Sequence, residues 1–171
     1  MRTDDEPTRP DVVIGVGNPL MGDDGFGIVA IAQVRERWGD SPSLALVDGG
    51  TWGMNLLPLI EGARRLLIID AIDRGLPPGS RIELDRAELP RYLGLKLSPH
   101  QLDLREVFAL AELRGTLPAD TLAIGVQPER VELSIDLSPS VAAKLHGVVA
   151  DVEDQLVRWG HQPLEPRAVH A

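Results

Sequence analysis

The stretch Val12–Gly27, VVIGVGNPLMGDDGFG, decides the fold. Val12 to Val16 is an unbroken apolar run closed by Gly17-Asn18-Pro19, the pattern of a strand buried on both faces. Gly25 to Trp38 then sets Phe26, Val29, Ala30 and Val34 about one helical turn apart, and Gly39 supplies the stop. A buried strand running into an amphipathic helix is the first half of a βαβ unit.

The alternation repeats outward from that stretch. Leu44 to Val47 reads as a strand, Met54 to Glu61 as a helix with Pro58 near its first turn, and Leu66 to Ile69 as a third strand. Arg81 to Leu84 follows the Pro77-Pro78-Gly79 turn too soon for a helical crossover, so an antiparallel strand is expected there. Pro99 to about Arg114 reads as a helix, Thr121 to Val126 as the last strand, and Ser138 to Trp159 as one closing helix with Pro139 in its first position. The expected architecture is a three-layer α/β/α fold, a five-stranded, mostly parallel, twisted sheet between helices. Residues 1–10 are expected as a lead-in, 11–160 as a single α/β domain and 161–171 as a surface tail.

Composition narrows the function. The 171 residues carry a formal net charge of −9, which argues against nucleic acid or an anionic membrane surface as partner. There is no run of apolar residues long enough for a membrane span and the start is acidic, so a cytoplasmic address is expected. With no cysteine, the strong metal ligands available are carboxylates and four histidines, His100, His146, His161 and His170.

Ligands of open α/β sheets bind beyond the carboxyl ends of the strands. The first strand runs there into Asp23 and Asp24, and the third into Asp70. Aspartates before a helix also serve as caps, yet one cap needs one carboxylate. Ser98-Pro99-His100-Gln101 reads as a capping box, which puts His100 in a first helical turn, where the helix dipole favours the neutral imidazole able to bind metal. Two carboxylates and one imidazole would form an open O,O,N set for a divalent ion that accepts an external group. Gly15 and Gly17 begin a dinucleotide fingerprint, but Leu20 holds its third glycine position, and no HExxH, G-x-S-x-G or P-loop motif occurs.

Four ordered stretches, GVGNPLMGDDGFG from Gly15, DGGTWGMNLL from Asp48, LLIIDAI from Leu66 and SPHQLDL from Ser98, resemble the endopeptidases that mature nickel-iron hydrogenases. AIGVQPE from Ala123 agrees with them. The resemblance implies cleavage of a C-terminal extension from the hydrogenase large-subunit precursor. It also implies that Asp24, Asp70 and His100 contact the metal, which is nickel presented by the substrate, with no tightly bound organic cofactor. Asp48, Gly49, Gly50, Thr51, Gly17 and Asn18 are expected near the cleft in substrate recognition. Some family members carry Glu where Asp24 stands, which keeps a carboxylate.

Three other readings share parts of this pattern. A nickel-binding, chaperone-like assembly module would use the same cleft without cutting, and a generic zinc peptidase would hold its own zinc. VIGVGNP also resembles the opening of peptidyl-tRNA hydrolases, but these need a basic RNA face and an early histidine, and no histidine precedes His100.

Overall fold

The computed structural model describes residues 8–90 and 99–165, with the side chains of 99–103 outside the description. Five strands form one sheet: β1 Asp11–Val16, β2 Leu44–Gly50, β3 Arg65–Ala71, β4 Arg81–Asp85 and β5 Thr121–Val126, in the order β2-β1-β3-β5-β4. The first three pairings are parallel and β4 runs antiparallel along β5. The expected antiparallel strand is therefore present, but its neighbour is β5 and not the strand that precedes it.

Helix α1, Phe26–Trp38, covers one face together with the closing helices, and α2, Leu57–Glu61, and α3, Pro99–Leu113, cover the other. Period-two alternation divides the strand residues between two cores. Val12, Ile14 and Val16 of β1 and Leu66 and Ile68 of β3 pack toward α2 and α3. Val13, Leu67 and Ile69 pack toward α1. Every residue of β1 is buried, as a central strand covered on both faces must be.

The segment expected as one closing helix is two: α4, Pro139–Ala142, and α5, Leu145–Arg158. At the joint the Lys144 N–H donates to Val141, a tightened three-residue bond, and the Val148 N–H to Lys144 restarts the α pattern. The two pieces answer to different neighbours. Ser138, at the start of α4, is fixed to Asp23, whereas α5 packs its apolar stripe against α1.

At the amino edge of the sheet, Asp11 is fully buried beneath a clasp of basic groups. Arg64 reaches it with two bonds (3.0 and 2.8 Å), Arg65 with two more (2.8 and 2.5 Å), and His161 Nε2 lies 2.7 Å away. Arg65 also donates to the Trp159 carbonyl and lies 5.0 Å from the centre of its ring. Burial opposes ionisation of Asp11, but hydrogen bonds from Arg65, Arg64 and His161 outweigh it and hold the carboxyl well below the usual carboxylate range. Beyond His161, the Leu164 N–H donates to the Arg37 carbonyl, so the chain returns to the end of α1.

Candidate functional site

Strand β1 leads by way of α1 to β2 on one side, and β3 lies on its other side, so the connections diverge between β1 and β3. This is the switch point at which open α/β sheets place ligands. The loop leaving β1 turns at Gly17, whose φ of +129° excludes ordinary side chains and whose added Cβ would fall 1.9 Å from the Asp24 carbonyl oxygen. The chain thus folds back so that the 3₁₀ turn Gly22–Gly25 comes against the start of the same loop.

Asp24 is buried on that turn, and its Oδ2 accepts the Asn18 N–H at 3.1 Å. Asn18 Oδ1 in turn accepts the Leu20 N–H. The 3₁₀ turn packs against β3, the strand that carries Asp70. Asp70 is fully buried, its Oδ1 accepting the Ala71 N–H at 2.8 Å. It lies within β3, not beyond its end, and by alternation follows Leu66 and Ile68 onto the face covered by α2 and α3. Asp70 is therefore a residue of the strand itself and heads no helix.

His100 falls in the first turn of α3, and its side chain is outside the described residues. Connectivity fixes the run of the helix. It ends at Leu113 and feeds Thr121, which pairs with Leu66 at the start of β3, so α3 runs toward the amino edge of the sheet and its first turn lies on the side of the carboxyl edge. It also packs on the 3₁₀ turn Gly53–Leu56 that follows β2. Among the described residues no three His, Asp or Glu side chains gather as a metal site.

Asp48, Gly49 and Gly50 form the last residues of β2, which runs three positions further than its apolar core. Asp48 is exposed and its Oδ1 accepts the Gly50 N–H at 3.0 Å, Gly49 is buried, and Thr51 is exposed. The Gly17 N–H donates to the Gly50 carbonyl at 3.0 Å. The Asp48–Thr51 stretch and the Gly17-Asn18 loop therefore adjoin at one edge.

Asp23 has a role its sequence position conceals. It caps nothing: the residue before α1 is Gly25, without a side-chain cap. Its carboxylate, fully buried, accepts the N–H groups of Glu129 (2.9 Å), Arg130 (3.0 Å) and Ser138 (2.7 Å) and the Ser138 hydroxyl (2.8 Å). Burial opposes its ionisation, but the bonds from Arg130, Ser138 and Glu129 prevail and lower its pKa. Backbone pairing of Gly22 and Leu20 with Ser134 completes the join. Gln127, also buried, accepts the Arg74 and Leu76 N–H groups and donates to Asp73, bracing the loop after β3. Neither role has a local signal, because the partners are 51 to 115 positions away.

A three-layer α/β protein with buried carboxylates on the switch point has the layout of a cleft enzyme. The model of the family described as hydrogenase maturation protease matches residues 28–155. The hydrogenase expression/formation protein HoxM of Cupriavidus necator is 40% identical over 158 residues, covering 90% of this chain and 77% of that protein. The hydrogenase 2 maturation protease of Escherichia coli is 32% identical over 160 residues, covering 93% and 98%. The solved hydrogenase maturating endopeptidase HybD from E. coli superposes with a TM-score of 0.85 at 32% identity, over 93% of this chain and 98% of that one. The chain belongs to the hydrogenase maturation protease family, and is an enzyme of the peptide-bond-cleaving kind.

Proposed function

We propose that this protein removes the C-terminal extension of a hydrogenase large-subunit precursor and uses the nickel carried by that precursor as its recognition element. The observation that carries the reading is the packing of the Asp24 turn against the strand that carries Asp70, in a chain of the hydrogenase maturation protease family. Asp24, Asp70 and His100 would offer two carboxylate oxygens and an imidazole nitrogen to a divalent ion arriving with the substrate. Nickel held between precursor and enzyme would then set the scissile bond in place, so that a precursor without metal presents nothing to align. The hydrolysis itself adds one water across the amide, leaving a new carboxylate on the large subunit and a free amine on the released peptide. Asp48 to Thr51, with Gly17 and Asn18, would border the bound chain.

The test uses purified enzyme with matched nickel-loaded and nickel-free precursor. Mass spectrometry should show the loaded precursor shortened by its C-terminal peptide and the nickel-free one intact. Equal cleavage of both would refute recognition through nickel. An unchanged mass for both would favour a chaperone-like module. Asp24→Ala should abolish processing while shifting stability by no more than about 1 to 2 kcal/mol, the scale of a lost local hydrogen-bond acceptor.

A further inference from the structure

We infer that Asp23 is a positioning residue for the processing reaction: its carboxylate locks the turn bearing Asp24 to the segment 129–138, so that both move as one wall of the cleft. The inference rests on the reading of Asp24 given under Proposed function. Its grounds are geometric. Four donors bind the carboxylate at 2.7 to 3.0 Å: the Glu129 and Arg130 N–H groups and the Ser138 hydroxyl on Oδ2, and the Ser138 N–H on Oδ1. All four belong to residues more than 100 positions away, so the bonds join two distant segments and stabilise no local turn.

The neighbouring residue is Asp24, and both sit in the four-residue 3₁₀ turn Gly22–Gly25. A short 3₁₀ turn has poor internal hydrogen bonding and holds its shape through outside contacts. Those contacts converge on Asp23. The side chain supplies four bonds, its own N–H donates to the Arg130 carbonyl at 3.3 Å, and Gly22 N–H donates to Ser134 at 2.8 Å. Turning or shifting this residue would redirect the Cα–Cβ bond of Asp24 and release the Asn18 N–H from its Oδ2. The far side of the same anchor, Ser138, starts α4, and α4 is stayed from behind by Gly79, whose added Cβ would meet the Ser140 carbonyl at 2.7 Å. Asp23 therefore stands between a braced wall and the residue proposed to meet the metal.

Asp23→Asn is the informative change, because it keeps the volume but turns one acceptor into an NH₂ facing donors. The experiment measures kcat and KM for the nickel-loaded precursor per folded enzyme, with amide hydrogen exchange of Asn18, Glu129, Arg130 and Ser138. The positioning role predicts a kcat lower by about tenfold or more, since small misplacements at a reacting centre carry such costs, with KM changed little. It also predicts faster exchange at Asn18, while core amides such as Ile14 and Ile68 keep their protection. Wild-type kcat with wild-type exchange at Asn18 would overturn it, as would a loss confined to KM or to the folded fraction. If Asp23→Asn does not fold, Ser138→Ala removes one of the four donors and should produce a smaller change of the same kind in kcat and at Asn18; no change in either would overturn the inference. Should the wild-type enzyme leave every precursor uncut, the functional reading falls, and the Asn18 exchange in the variant still decides whether Asp23 holds Asp24.

Discussion

Gly27, in the first turn of α1, shows how closely the site depends on absent atoms. An added Cβ there would lie 2.2 Å from the Ile69 carbonyl oxygen and 2.4 Å from that of Val16, between the two strands that frame the switch point. Both obstacles are backbone, so neither can swing aside. Gly27→Ala should lower stability by about 1 to 3 kcal/mol or more, as overpacking does, seen as a lower urea midpoint at unchanged slope. At this same scale the sequence was partly legible. Asp70 stood out because a carboxylate directly after an apolar run is costly to bury without purpose, and it is fully buried. Asp23 did not stand out from Asp24, because what separates them is where their acceptors point. Asp23 looks to residues 129–138, and no spacing rule reaches that far.

At the scale of elements, helix α5 offers the sharpest contrast. Leu156 is fully buried against α1 and the sheet, while its neighbour Val157 is 58% exposed. Leu156→Ala should cost about 2 to 5 kcal/mol and Val157→Ala less than about 0.5, in thermal or chemical denaturation of the same protein. Comparable losses at both positions would mean that the stripe does not face the core. The parallel order of strands and helices was readable because strand and helix periods differ and right-handed crossovers leave few topologies. Two features were not. The apolar spacing Val141, Leu145, Val148 continues smoothly through the joint between α4 and α5, so the pattern carries no mark of a break set by Asp23 on one side and α1 on the other. The pairing of β4 with β5 was equally hidden, since alternating burial at Ile82 and Leu84 identifies a half-exposed strand without naming its partner.

The whole molecule has two poles. The carboxyl edge of the sheet holds the candidate site, and the amino edge holds Asp11 beneath Arg64, Arg65 and His161. An unfolded aspartate titrates near about 3.9 and Asp11 titrates lower in the fold, so below about pH 5 the unfolded chain binds more protons and stability declines as pH falls. Above that range the contribution is complete. Asp11→Asn should lower stability at neutral pH by about 3 kcal/mol, as loss of one partner in a buried ion cluster does, and the gap from wild type should narrow as the pH drops through 4 toward 2. Denaturation curves at several pH values measure this, and a gap that stayed constant would assign the loss to packing alone.

Asp11 and His161 stand 150 positions apart and yet share one bond. During synthesis, then, the first strand waits for the residues that follow α5: Arg64 and Arg65 can reach Asp11 once β3 has emerged, but the ring of Trp159 and the imidazole of His161 arrive only after all five strands. A nascent chain stalled before Trp159 would leave Arg65 without the indole that lies beneath it.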